Sequence, residues 1–368
     1  MDKVLGVINL VNESNYLKEL TAHRCLASVP FGGRYRLIDY TLSNFIQADI
    51  TKVAIFAREK LRSLMDHIGS GKEWDLDRQS GGLSIFPPVH ANEPIRGDLQ
   101  QFYDHLEYFE HTFADTVIIS PGIHVCKMDF NSIINEHRES GADITVLYKA
   151  YDGQAIQKPI YHTCEVDHIG NVIDIDLYTS PKTGDQVILE TYIIGKRLLM
   201  DLIKRCVENK EYDFLKDAVK ANLHLYNVRG IPFKGDLPFI HSIESYFESN
   251  LKILDPALAQ LMFGENGEVY TKIKHEAPTR YGPLCAVSHS LIANGCVIEG
   301  HVENSIIFRG VKIHQGAIVK NSIIMQKGDV EAGAYVENII ADKQVTITKD
   351  RTVVGQGTPR VLKKMETI

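Results

Sequence analysis

The 368-residue chain has no cysteines at disulfide-framework or metal-motif spacing, no apolar run of membrane-spanning length, and no strong excess of one charge. Its six cysteines (Cys25, Cys126, Cys164, Cys206, Cys285, Cys296) are scattered without a C-x-x-C, which fits reduced thiols and speaks against a structural zinc site. The best N-terminal apolar stretch, Val4 to Val11, already contains Asn9 and falls well short of the roughly 18 to 20 residues that cross a bilayer. It also lacks a basic n-region of any weight and a small-residue cleavage site, so it reads as a first β-strand, and the cytoplasm is the expected compartment. Forty Lys and Arg stand against 47 Asp and Glu, a formal net charge of −7. Wholesale nucleic-acid or anionic-membrane binding needs clustered Lys and Arg that this balance does not favour, while local anion sites stay open. Hydrophobic residues at 44% and charged residues at 24% are ordinary for a globular chain and exclude disorder over most of its length.

One local group, His162, Cys164 and His168, would share a strand face. Alternating polar residues on a strand are ordinarily its solvated side, and no metal is expected there.

From Met1 to about Asn250, short β-branched runs (Val4 to Leu10, Thr51 to Phe56, Thr116 to Ser120, Ile144 to Lys149) alternate with helix-like stretches (Tyr40 to Gln47, Arg58 to Ile68, Leu99 to Phe109). That alternation predicts an α/β domain with a mostly parallel sheet over residues 1–250, whose ligand loops lie at the carboxyl ends of the strands. Residues 251–283, with Pro278 and Pro283, read as a linker. Beyond it a period of six appears: Val311, Ala317 and Ile323; Ile307, Ile313, Val319 and Met325; Ile318, Ile324, Val330 and Val336. Period six is neither strand nor helix and predicts a parallel β-helix over 284–368, with Gly295, Gly300, Gly310 and Gly316 at its corners.

Residues Val29 to Asn44 read V-P-F-G-G-R-Y-R-L-I-D-Y-T-L-S-N. Taken alone this is a glycine turn feeding a helix with solvated arginines. The run closely resembles the P-F-G-G-K-Y-R-I-I-D-F-x-L-S-N signature of the ADP-glucose pyrophosphorylases (glucose-1-phosphate adenylyltransferases). Trp74-Asp75-Leu76-Asp77-Arg78, Lys127-Met128-Asp129-Phe130 and Ile95-Arg96-Gly97 resemble further segments of that family. The resemblance covers nearly the whole chain. It implies a nucleotidyltransferase domain, Rossmann-like with a mixed sheet, followed by a left-handed β-helix, in a tetramer that makes ADP-glucose and pyrophosphate from ATP and glucose 1-phosphate with Mg2+.

The departures from that pattern bear on activity. The family's G-G-x-G-x-R-L loop cradles ATP phosphates on backbone N–H groups, and here the stretch is Leu10 to Leu17, without glycine, with Tyr16 in place of the Arg and Glu13 beside it. The Lys of R-A-K-P becomes Leu26, and the two Mg2+ carboxylates fall on Ile123 and Phe239. Thr179 and Ser180 stand where the sugar-phosphate Lys of E-K-P would be, and Asp98-Leu99-Gln100-Gln101 replaces T-A-D-A. Nucleotidyl transfer draws most of its acceleration from metal and cation clamps, and each ~1.4 kcal/mol forfeited is about tenfold in rate. Gly71-Lys72 does not rebuild a phosphate loop, because Glu73 follows it and Asp66 replaces the first glycine. His124 and His241 fall near the altered site and read as residual loop or core histidines.

Within the family, the resemblance is to the non-catalytic, regulatory GlgD-type subunits, and it implies a catalytic pyrophosphorylase subunit as partner, in a heterotetramer, or a homo-oligomer of this chain. No cofactor is expected in this chain itself, Mg2+ belonging to the partner. Arg24, Arg34, Arg36 and Lys343 match positions where relatives bind phosphorylated effectors, against an equally open reading as a solvated basic stripe or an interface salt-bridge set. Glu337-Asn338 stands near the place of the family's C-terminal effector Arg. Other readings stay open: a weak enzyme with a rebuilt site, a sugar-phosphate-binding scaffold, and a hexapeptide acyltransferase using His301 or His314.

Overall fold

A computed structural model describes residues 3–13, 16–79, 81–89, 94–153, 160–263 and 268–368. Along the chain come β1 (Val4–Leu10), the ribbon strands β2 (Pro30–Phe31) and β3 (Tyr35–Arg36), α1 (Leu37–Gln47), β4 (Lys52–Ala57), α2 (Arg62–Ile68) and β5 (Gly82–Phe86). There follow α3 (Asp98–Asp104), α4 (Leu106–His111), β6 (Thr116–Ser120), α5 (Phe130–Ser140), β7 (Ile144–Ala150), β8 (Tyr161–Val166), β9 (Val172–Thr179) and β10 (Gln186–Gly195). Then come α6 (Lys196–Glu208), β11 (Val228–Pro232), α7 (Ile243–Lys252) and α8 (Pro256–Phe263). No helix among the described residues is long and apolar enough to cross a membrane.

The chain divides into two compact units that are not contiguous in sequence. The first comprises Met1–Glu13, Tyr40–Leu61 and Ile68–Leu237. Its sheet runs β11-β7-β10-β6-β1-β4-β5, with β8 and β9 attached to β10. The β1, β4, β5 and β6 pairs are parallel and β10 is antiparallel to both neighbours, so the sheet is mixed. Strands buried on both faces carry unbroken apolar runs: β6, Thr116–Ser120, is buried at every residue, as a sheet covered by helices requires. The expected single helix over 99–109 is two, α3 and α4, separated by His105. The His105 amide turns back to the Phe102 carbonyl, and its ring packs on Phe56 and Phe86.

The second unit comprises Ser14–Asp39, Arg62–His67 and Pro238–Ile368. The stretch 251–283, read as a linker, contains the end of α7 and the whole of α8; residues 264–267 within it lie outside the described residues. From Arg280 to Leu362 the chain winds through three five-stranded parallel sheets, a parallel β-helix. The pairs Ile307↔Ile324 and Ile313↔Val330 set a coil of 17 residues, with inward steps of six, six and five. The short step falls between Val319 and Ile324, so Ile323, Met325 and Ile318 leave the columns that strict period six assigned them. Its cause is the corner residue Asn321, whose φ of 42° reverses the chain quickly; Asn304 (44°) and Asn338 (54°) hold the same place in neighbouring coils. Short polar side chains tolerate this left-handed region. The stack is cross-linked, Asn304 Nδ2 donating to Asn321 Oδ1 at 2.9 Å. Of the glycines assigned to corners, Gly295, Gly310 and Gly316 are left-handed and Gly300 is not; a side chain at Gly300 would meet the Ala317 carbonyl at 2.4 Å.

Outward-pointing Ile306, Ile323 and Ile340 of the β-helix are fully buried. The P-F-G-G segment of the same unit lies on this face: a Cβ on Gly33 would sit 2.3 Å from Leu291 Cδ2 and 3.8 Å from Ile306, and the Gly33 φ is +78°. The Gly32 amide donates to Asn250 Oδ1 at 3.0 Å, and the Tyr246 hydroxyl to the Pro30 carbonyl. The arrangement accounts for the glycines of the motif without any ligand. Gly33→Ala is expected to destabilise this unit by about 1–2 kcal/mol from the left-handed backbone alone, and further from the contact. Chemical denaturation of Gly33→Ala and Gly33→Ala/Leu291→Ala separates the two parts, the second variant recovering only the contact part.

Candidate functional site

The rest of the signature is also structural. Asn44 donates to the Cys126 carbonyl at 2.9 Å and accepts from the Met128 amide at 3.3 Å. Asp129 caps α5 by accepting from the Ser132 amide and hydroxyl, which hold its carboxyl below the usual range. These bonds fix the loop after β6, where Ile123 and His124 stand.

At the carboxyl end of β1, Asn9 Nδ2 donates to Asp98 Oδ2 at 2.8 Å, and the amides of Leu99 and Phe214 donate to Asp98 Oδ1, both at 2.9 Å. Asp98 is almost fully buried, and burial first and Asp213 second push its carboxyl up to about 7. Glu190 sits in an irregularity of β10 with a left-handed φ of 48°. The residue as a whole is exposed, but desolvation of its carboxyl first and Asp213 second raise that group to about 7 as well. No cation figures among the groups acting on either carboxyl. Three carboxyls thus converge where the sheet's topology directs ligands, and at an effective dielectric of about 20 one carboxylate repels an anion ~4 Å away by roughly 4 kcal/mol.

The positions expected to be degenerate divide between the units. Ile123 of the first is half-buried, and neighbouring His124 is pushed down to about 4 by burial, so it is neutral at pH 7; its Nδ1 has no partner. In the second unit, Leu26 is buried in a single 3-10 turn, Leu26–Ser28, while Tyr16 and Phe239 are half-buried; Ser14 and Asn15 lie outside the described residues. His241 Nδ1 donates to the Phe239 carbonyl at 2.9 Å, which makes it a loop-fixing histidine. Side chains of Ile123 and Phe239 offer no oxygen, so these positions do not fit a hard Mg2+ ion. Among the described residues no three His, Cys, Asp or Glu are grouped to hold a metal. His162 and Cys164 alternate on β8, whereas His168 lies in the turn after it. On the β-helix His314 pairs with Asp329 at 2.8 Å, and His301 is exposed.

Three of the four candidate effector residues come together in the second unit. Arg24 is 3% exposed, and its Nη2 donates to both Asp342 oxygens at 2.8 Å, while its Nη1 has no partner. Arg36 Nη1 donates to the Ser63 carbonyl at 2.6 Å and hydroxyl at 2.9 Å, and burial lowers its guanidinium to about 10. Burial first, then Arg36 and Arg24, bring the Lys343 ammonium down to about 7. Buried His67 donates to Asp39 at 2.6 Å, beneath the same ribbon. Arg34 does not join this group: its guanidinium lies 5.4 Å over the Tyr35 ring and is the foremost charge acting on Arg309. Asp342 and Arg309 escaped sequence reasoning because nothing in either segment marks it as facing an arginine; Glu190, a lone charge inside the apolar run 187–194, was the one visible signal for the carboxyl group.

A mixed α/β sheet with its ligand edge on β1 and β6, joined to a hexapeptide β-helix, defines a nucleotidyltransferase architecture. Two family descriptions match accordingly: Nucleotidyl transferase over residues 14–176, and GlmU-like, C-terminal hexapeptide over 271–361, the left-handed β-helix type. The chain is 40% identical over 366 residues to the "Glycogen biosynthesis protein GlgD" of Bacillus subtilis strain 168, covering 99% of this chain and 96% of that protein. It is 37% identical over 321 residues to the GlgD of Geobacillus stearothermophilus, covering 86% and 83% of the two chains. With the "Glucose-1-phosphate adenylyltransferase" of Thermotoga maritima identity is 31% over 327 residues, 87% of this chain and 77% of that one. The chain belongs to the glucose-1-phosphate adenylyltransferase family of glycogen biosynthesis, in which the GlgD proteins are included.

Asp98 and Glu190 hold their protons more tightly folded than unfolded, from ordinary values of 3.8 and 4.5 up to about 7. Between those limits the folded state binds the extra protons, so stability falls as pH rises from about 4 to about 7 and levels off above. Thermal unfolding across that window is expected to show this slope, and Asp98→Asn or Glu190→Gln each to flatten it. An unchanged slope in both variants contradicts the assignment.

Proposed function

We propose that this chain is a non-catalytic or catalytically deficient regulatory subunit of glucose-1-phosphate adenylyltransferase, modulating a catalytic partner subunit in glycogen biosynthesis. The observation that carries the reading is the convergence of Asp98, Glu190 and Asp213 at the ligand edge of the sheet with no cation among the groups acting on Asp98 or Glu190. Transfer of an adenylyl group from ATP to glucose 1-phosphate concentrates negative charge that Mg2+ and basic side chains must hold. Here hydrocarbon stands at Leu26, Ile123 and Phe239, and carboxyls add repulsion. Mg2+ acts in the partner. The chain assembles with that partner in a heterotetramer, or forms a homo-oligomer, and changes the partner's substrate affinity or effector response through contacts that differ between two states.

Arg24, Arg36 and Lys343 form the anion site of this subunit, suited to a phosphorylated effector; the unpaired Nη1 of Arg24 and the Lys343 ammonium are its free donors. Arg24 is anchored by Asp342, which pre-orients the guanidinium and leaves half of its fork for a ligand.

The test of the main reading is pyrophosphate release from ATP and glucose 1-phosphate with Mg2+, for this chain alone, a catalytic homologue alone, and the two co-expressed. The single chain is expected to be silent and the mixture to differ from the homologue in rate, affinity or effector response. Turnover by this chain alone sinks the proposal, and a mixture identical to the homologue favours a scaffold. For the anion site, Lys343 is half-deprotonated near pH 7, so a bound anion must draw a proton onto it. Calorimetry with inorganic phosphate at pH 7.5, in two buffers of different ionisation enthalpy, is expected to show proton uptake that Lys343→Met abolishes.

A further inference from the structure

In the same unit, a second pair of cations, Arg34 and Arg309, forms no ion pair among the described residues. Arg309, immediately before the corner glycine Gly310, is 8% exposed. Its Nη1 donates to the Lys272 carbonyl at 3.3 Å, and its Nε, buried, has no partner. Thr271, the residue before that carbonyl, is 5% exposed, and its hydroxyl is also buried without a partner. Arg34, exposed, is the foremost charge acting on Arg309, and it works against ionisation, as burial does; Glu276 and Asp39 oppose both. The strongest charges around Arg309 are Arg34, Glu276, Asp39 and Tyr35, none of which belongs to the Arg24, Arg36 and Lys343 group.

A buried guanidinium with an unmade hydrogen bond is costly, and a second guanidinium beside it adds repulsion. An unpaired hydroxyl at the next backbone position is a second such cost. One oxyanion relieves all three, because its several acceptor oxygens can take the Arg309 Nε–H, the Thr271 O–H and the Arg34 fork together. Tyr35, stacked on Phe263 at 5.0 Å between ring centres, keeps the Arg34 guanidinium over its own ring and so near the place. We infer that Arg309, Arg34 and Thr271 form a second oxyanion site, separate from the Lys343 group and specific for a phosphate or carboxylate group.

The experiment is calorimetric titration of the full-length Lys343→Met chain, in which the other site has lost its ammonium, with inorganic phosphate and, separately, with acetate. Binding is expected to persist, to weaken about tenfold in Arg34→Gln through loss of one charge-assisted hydrogen bond, and to weaken in Thr271→Val, which keeps the side chain's volume. Glu276→Gln, removing a competing carboxylate, is expected to strengthen it. Arg309→Gln is interpreted only with its unfolding curve, and the exposed Arg34 and the isosteric Thr271 variants decide the matter if it fails to fold. Phosphate binding without acetate binding assigns the site to phosphate esters, and acetate binding without phosphate binding assigns it to carboxylates. If Arg34→Gln and Thr271→Val titrate like their parent, or the parent binds neither anion, the two orphaned donors are satisfied by water and the inference is overturned.

Discussion

The Arg24–Asp342 ion pair holds the second unit in one arrangement. The two residues are 318 positions apart and both 3% exposed. Removing one partner of such a buried pair strands a charge, at a cost of about 3–5 kcal/mol. The pair ties the segment ahead of the P-F-G-G ribbon to the residue that follows the β-helix strand Ile339–Ala341. Arg36 and Arg24 are the charges that act most on Lys343, and Arg34 is the foremost charge acting on Arg309.

The two units have taken opposite electrostatic courses. In the first, desolvation and Asp213 raise the Asp98 and Glu190 carboxyls to about 7, and Asn9 near the end of β1 donates to Asp98. In the second, burial first and the neighbouring Arg36 and Arg24 next bring Lys343 down to about 7. On this contrast between carboxyls in one unit and cations in the other rests the proposed regulatory reading.

Much of the frame could be read directly from residue patterns. The strands at Val4–Leu10 and Thr116–Ser120 lie where β-branched runs placed them, because a parallel strand buried on both faces leaves little choice of residue. The β-helix was visible as a period of six, since each side of a coil must bury one apolar residue. The single helix over 99–109 was not correct, because His105 stacks on Phe56 and Phe86, partners 49 and 19 residues earlier that helical spacing does not consider. The step of five had the same origin: whether Asn321 adopts a left-handed corner depends on Asn304 above it and on the coil it must close.

By itself the sequence determined the fold class and the family, and the proposed function rests on the residues it sets at Tyr16, Leu26, Ile123 and Phe239, none of them a cation or a carboxylate. Only the tertiary structure decided which charged groups meet. It parted Arg34 from Arg24 and Arg36, its neighbours in sequence, gave it Arg309, set Asp342 against Arg24, and gathered Asp98, Glu190 and Asp213 at one edge. Electrostatic energy depends on distance and on exclusion of water, and neither is written in the order of residues when the partners lie up to 318 positions apart.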